Sequence, residues 1–281
     1  TATGGLNSFT VLILPMGISF YTFQTLSYSL DVYKGKMPAC KSFPDFLLFV
    51  TYFPQLVAGP IEKARDLLPQ LQKERHPTVA GFADGGRLML WGYFKKIVVA
   101  DNLAPYVGSA FENPSAGGGY LIMACLAFSF QIYGDFSGYS DIARGISKMF
   151  GIELTRNFER PFFSTSLLEL WRRWHVTLAG WFREYVYIPL GGSRHGLARA
   201  RVNMLITFVC SGFWHGANWT FVIWGLSHGI FCALTMGRPA APRQGLRTLG
   251  AVLATNALFA LSLAFFRAHD IRHSMAIFSS M

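Results

Sequence analysis

Ser211–Trp219 reads SGFWHGANW and lies inside the longest charge-free run of the chain, Val202–Gly237, between Arg201 and Arg238. As one helix at ~1.5 Å per residue the run would be about 54 Å long, against a hydrocarbon core of roughly 30 Å. It is too long for one upright span and barely long enough for two. Ser211, Gly212 and Gly216 are the natural places to break it. His215 then sits at the junction of two apolar segments, at membrane depth. Irregular backbone is tolerated there only when buried in protein or facing a wet cavity. An imidazole at such a break is a functional candidate, with a core histidine bonded to a carbonyl as the alternative.

Outward from this run the chain keeps the same character. Hydrophobic residues make up 52% and charged residues 14%, and the net charge is +10. A soluble domain carries about 25% charged residues, so the composition predicts a polytopic membrane protein. Basic cytoplasmic loops account for the charge. The cations fall between apolar stretches and form no basic stripe, which argues against nucleic acid as a partner. Cys40, Cys125, Cys210 and Cys232 are scattered with no CxxC or Cys/His cluster, so neither a disulfide framework nor a metal site is predicted. The chain starts in an apolar segment without a Met or a signal-peptide n-region and reads as part of a longer protein.

The first predicted span is Phe9–Leu30, kinked at Pro15 and Gly17. Phe46–Ile61 is short and broken by Pro54, Gly59 and Pro60, which suits a re-entrant segment. Glu62–Arg87 is a polar loop with a surface helix. Leu88–Phe111 is apolar but carries Lys95, Lys96 and Asp101, which must snorkel, pair or face a cavity. Asn113–Gly134 is a clean span continuing into GDFSGYSDIARGISK. There Ser137, Asp141, Arg144 and Lys148 share one face and allow an Asp141–Arg144 pair. Asp135 points elsewhere and needs a partner so close to the apolar run. A last span covers Thr248–Phe266, after the basic loop Arg238–Arg247.

Ser166 and Glu169 have capping-box spacing and open a helix over Leu167–Tyr185. Leu167, Trp171, Trp174, Leu178, Trp181 and Tyr185 form one indole-rich stripe, with Arg172, Arg173 and Arg183 off it. This pattern predicts a helix lying in the cytoplasmic interface with the indoles turned to the apolar side. The segment 141–201 holds ten Lys and Arg, and Arg238, Arg243 and Arg247 form the next basic cluster. Both belong in the cytoplasm, so an even number of crossings separates them, as a break near His215 provides.

Two histidines stand out, His175 in WRRWHVTL and His215 in GFWHGANW. His228 lies within an apolar run and reads as a helix–helix hydrogen-bonding group. His76, His195, His269 and His273 lie among polar residues. No nucleophile elbow, P-loop, dinucleotide fingerprint or zinc signature is present. Six blocks occur in order: FYTFQTLSYSLDVYKG, QLVAGPIEKARDLLPQL, GDFSGYSDIARG, NFERPF, WRRWHVTLAGWFREYVYIPLGGSR and FWHGANWTFVIWGLSHG. Together they resemble the membrane-bound O-acyltransferase (MBOAT) family over nearly all of the chain. Within it they look most like the membrane subunit of bacterial alginate and related exopolysaccharide O-acetylation systems.

The resemblance implies an all-α, polytopic helical bundle with re-entrant and interfacial helices around a central funnel. It implies a single transmembrane domain over residues 1–281, lacking the family's N-terminal spans and C-terminal end. It implies the bacterial cytoplasmic (inner) membrane and its lipid, and no bound cofactor. The acyl donor is a cytoplasmic thioester, acetyl-CoA or an acyl-carrier protein. The acceptor is a periplasmic acetyltransferase partner or a polysaccharide such as alginate. D-alanyl transfer to teichoic acid and a non-enzymatic transporter are the alternatives. The family's two functional histidines map onto His175 and His215, the second being the usual catalytic base. Imidazole suits that role near neutral pH. Trp214 or Asn218 can serve as donor to the developing oxyanion, Arg172 and Arg173 can hold donor phosphates, and Asp135 is a supporting candidate.

Overall fold

The computed structural model describes residues 17–237 and 245–281. Among them every regular element is a helix. In chain order these are α1 (Ile18–Tyr33), α2 (Phe43–Thr51), α3 (Ala64–Gln72), α4 (Val79–Tyr93), α5 (Asp101–Glu112), α6 (Gly118–Met149), α7 (Leu167–Trp171), α8 (Val176–Phe182), α9 (Gly196–His215), α10 (Trp219–Thr235), α11 (Gly245–Arg267) and α12 (Ile271–Ser280). A π-turn over Phe94–Ala100 joins α4 and α5 into one rod. Pro15 and the start of the predicted first span lie outside the described residues, as does most of the Arg238–Arg247 loop.

The α4–α5 rod packs antiparallel along α6, and glycines set the distance. A Cβ on Gly92 would stand 2.6 Å from the Gly138 carbonyl, and one on Gly85 would stand 2.5 Å from that of Gly145. No other residue lets two backbones meet so closely. The charges of this pair find partners across it and, for Lys96, within the rod as well. Lys95 donates to Asp141 at 2.6 Å, Lys96 to Asp101 at 2.8 Å, and Lys96 lies 2.7 Å from Asp135. The expected Asp141–Arg144 pair is present at 3.3 Å. The main core gathers α5, α6, α7, α10, α11 and α12 around Phe128, Leu170, Trp174, Phe259 and Ile277. A separate cluster joins α1 to α8 through Phe23, Trp181 and Phe182.

Among the described residues two helices, α6 and α11, are long and apolar enough to cross a membrane, with α10 a shorter apolar helix. The run Phe46–Ile61 yields the nine-residue α2 and one 3₁₀ turn, a helix of about 14 Å that falls short of a crossing. The Val202–Gly237 run is broken as its glycines suggest, but only at Gly216. Ser211 and Gly212 remain helical. Gly212 serves close packing instead: a Cβ there would meet the Phe221 carbonyl at 2.3 Å. The result is a tight α9–α10 hairpin with His215 as its last helical residue before the turn.

The expected continuous helix Leu167–Tyr185 does not form. Ser166 caps α7 as predicted, its hydroxyl accepting from the Glu169 N–H at 3.2 Å, but α7 ends at Trp171. His175 then adopts a left-handed backbone at φ 45°, and α8 starts anew at Val176. The indole stripe is correspondingly inside the protein: Trp174 and Trp181 are buried, Trp181 stacked on Phe23 at 3.9 Å. The stripe's period matched an interfacial helix, but its rings face other helices.

Candidate active site

The site is built from the break between α7 and α8 and the break between α9 and α10. At the first, residues 157–159 run beside residues 173–176. The Glu159 N–H donates to the Arg173 carbonyl at 2.8 Å and the Val176 N–H to the Asn157 carbonyl at 2.9 Å. The Asn157 side chain is fully buried, and its Oδ1 accepts from the Thr177 N–H at 3.3 Å and from the Thr177 hydroxyl at 3.0 Å. These contacts hold the backbone in a turn that no Gly or Pro dictates. A left-handed non-glycine residue costs about 1–2 kcal/mol, which this grip offsets.

His175 is buried, with Nδ1 3.0 Å from Asn157 Oδ1 and Nε2 without a partner. Its ring lies edge-on to Phe136 at 4.5 Å, with Phe20 and Phe158 stacked at 6.4 Å. It lines a cavity of about 350 Å³ with Leu178, Phe182, Met204, Phe208, Arg172 and Arg183. Arg172 is exposed, whereas Arg173 donates to Glu169 at 2.7 Å and is committed to it.

At the second break, the His215 ring is enclosed by Trp214 (4.7 Å), Phe266 (5.0 Å) and Trp224 (5.2 Å). Among the described residues its imidazole has no hydrogen-bond partner. The two breaks meet through Phe20, whose ring is 6.4 Å from His175 and 5.9 Å from Trp214. The structure thus brings histidines 40 residues apart in sequence to the two sides of one Phe20–Trp214 contact.

The indole N–H groups divide sharply. Trp171 donates to His228 Nδ1 and Trp181 to the Phe23 carbonyl. The N–H groups of Trp214 and Trp224, the two indoles packed on His215, are buried with no acceptor. Trp214 was a sequence candidate for this role. Trp224 was not, because nothing in its helical spacing distinguishes it from core. Asn218 is occupied: Oδ1 caps α10 by accepting from the Thr220 N–H at 3.1 Å, and Nδ2 donates to the His269 carbonyl at 2.7 Å. Asp135 pairs with Lys96 and is half-exposed, apart from the histidines. Among the described residues no group of His, Cys, Asp and Glu is set to hold a metal.

Beside the cavity, with Arg183 in the wall of both, lies an open basin of about 850 Å³ lined by Lys34, Lys36, Lys63, Arg194 and His195. Glu184 forms part of it. Arg65 donates to both its oxygens, at 2.8 and 2.9 Å, and Lys36 and Lys63 add further bonds. The Arg65 guanidinium and these ammonium groups hold the Glu184 carboxyl far below the usual carboxylate range. The basin keeps an excess of positive charge that sequence spacing did not reveal, because its cations come from three separate segments.

A family model described as the membrane-bound O-acyltransferase family matches residues 37–238. The chain is 41% identical to "Probable alginate O-acetylase AlgI" of Azotobacter vinelandii, over 99% of this chain and 56% of that protein. It is 41% identical to the protein of that name in Pseudomonas aeruginosa, over 97% of this chain and 52% of the relative. It is 36% identical to "Peptidoglycan O-acetyltransferase" of Helicobacter pylori, over 96% of this chain and 57% of the relative. The chain spans about half the length of these curated relatives.

Proposed function

We propose, because this chain belongs to the membrane-bound O-acyltransferase family, that it forms the acyl-transfer centre of a multi-pass O-acetyltransferase in a bacterial cytoplasmic membrane. The acyl group comes from a cytoplasmic thioester, of coenzyme A or a carrier protein. It goes toward an exopolysaccharide hydroxyl of the alginate kind, directly or through a periplasmic partner protein. The observation that carries this reading is the convergence of His175 and His215 on the Phe20–Trp214 pair.

In this mechanism the neutral His215 imidazole accepts the proton of the acceptor hydroxyl as that oxygen attacks the thioester carbonyl carbon. The carbonyl oxygen becomes an oxyanion, toward which the unpaired Trp214 and Trp224 N–H groups donate. Collapse re-forms the carbonyl and expels the thiolate, which takes the proton back from His215. The basin of Lys34, Lys36, Lys63 and Arg194 supplies the charge to hold an anionic donor at the mouth.

The test is acyl transfer by the full-length protein in lipid nanodiscs. A general base contributes typically ~10²–10⁴-fold, so His215→Ala should lose at least about a hundredfold. His215→Gln, which keeps size and hydrogen bonding without basicity, should be nearly as inactive. If the Gln variant keeps most of the turnover, His215 is structural.

A further inference from the structure

We infer that Asn157 is a positioning residue of this site, holding His175 as the Nδ1–H tautomer so that Nε2 stays a bare hydrogen-bond acceptor. The inference rests on the acyl-transfer reading only for what enters the cavity, not for the tautomer.

The Asn157 amide orientation follows from its partners. A backbone N–H can only donate, so the atom 3.3 Å from the Thr177 nitrogen must be the amide oxygen. The Thr177 hydroxyl agrees. It accepts from the Ile61 N–H at 3.0 Å, so its own proton is free to point at Asn157 Oδ1, 3.0 Å away. With oxygen facing the imidazole at 3.0 Å, Nδ1 must carry the hydrogen. In the neutral ring Nε2 is then a bare lone pair. It is the one nitrogen of this ring with no partner, and the ring lines the cavity. The nitrogen left over is therefore a buried acceptor, free to take a bond from an O–H or N–H that reaches it.

Asn157 is itself held from both sides. Two residues earlier, Thr155 gives its N–H to Glu62 at 2.5 Å and its hydroxyl at 3.0 Å. Ile61, next to Glu62, closes the circuit through Thr177. The ring Ile61–Thr177–Asn157–Thr155–Glu62 fixes the amide before the imidazole is considered. An imidazole fixed in one tautomer and orientation by a third group is the arrangement that activated sites use. His215, by contrast, has no such orienting partner among the described residues.

The experiment uses full-length protein in nanodiscs with ¹⁵N-labelled histidine, the His175 signal being assigned by its loss in His175→Gln. Wild type should show a protonated Nδ1 and an unprotonated Nε2. Asn157→Leu removes the acceptor and should give a mixture of tautomers and at least about a tenfold loss of kcat/KM with an acetyl thioester. Asn157→Asp keeps an oxygen at Nδ1 and should keep both the tautomer and most of the rate. It also covers the case in which the Leu variant fails to fold. Thr177→Val loosens the circuit but leaves the imidazole bond, and should keep the tautomer. A protonated Nε2 in wild type, or a folded Asn157→Leu protein with wild-type rate, overturns the proposal. The spectrum reads the tautomer without turnover, so it separates this proposal from the acyl-transfer reading.

Discussion

Trp171 donates its indole N–H to Nδ1 of His228 across 3.2 Å, which leaves the proton of that histidine on Nε2, 2.8 Å from the Ser262 hydroxyl. Ser262 in turn donates to the Phe259 carbonyl at 2.6 Å. Every polar atom of this imidazole is spent on joining α7, α10 and α11.

His228 is accordingly a structural group. His228→Phe should leave the Trp171 N–H buried and unpaired, at a cost of about 1–3 kcal/mol. Thermal unfolding in detergent should show the loss, while acyl transfer per folded molecule stays near wild type. A hundredfold fall in turnover at unchanged stability would place His228 in the chemistry.

Close backbone approach makes a sharper prediction for α4. A Cβ on Gly92 would stand 2.6 Å from the Gly138 carbonyl, whereas one on Gly86 meets only the flexible Met149 tip at 3.8 Å. Gly92→Ala should destabilise by about 1–3 kcal/mol, as overpacking does, and Gly86→Ala should be neutral or better. The paired unfolding midpoints check this.

Glu62 lies outside the spans, and burial pushes its carboxyl up to about 7, against the lowering effect of the Thr155 bonds. The folded state therefore binds this proton more tightly than the unfolded chain. The stability it contributes is complete below the ordinary Glu value and is lost as pH rises from there through about 7. The swing is on the order of 3 kcal/mol. Melting curves from pH 4 to pH 8 should fall with pH in wild type and flatten in Glu62→Gln. Equal slopes would refute the assignment.

Arg172 and Arg173 are neighbours with different expected roles. Arg172 lines the cavity, while Arg173 is paired with Glu169. Arg172→Ala should raise KM for a phosphate-bearing thioester by about tenfold, the value of a charged hydrogen bond. Arg173→Ala should change stability and leave KM alone. Initial rates across donor concentration decide between them.

What the sequence made legible was local. Gly216 after His215 announced a helix end, Ser166 with Glu169 a helix start, and Asp141 with Arg144 a same-face pair, and each is where its spacing put it. What it hid was held from a distance. Nothing in Trp174-His175-Val176 forces a left-handed turn, because the force comes from Asn157, 18 residues earlier. The indole stripe kept helical period through that turn, so it read as one lipid-facing helix. Lys96 and Asp135 pair across helices, and the basin's cations come from separate segments. Such pairings carry no periodic signature.

The glycine contact between α4 and α6 bears on how the site is shaped. Lipid tails are as apolar as leucine, so hiding greasy side chains drives helix pairing only weakly in a bilayer. This pair relies on backbone fit, which needs only residues 79–149. The residues of this hairpin all precede His175 and His215 in the chain. Its α6 forms a wall bearing Phe136 and Ser140, against which His175 and Asn157 pack. The candidate site is shaped against a wall it does not itself build, so a fault in the α4–α6 contact reaches a site whose own residues are all correct.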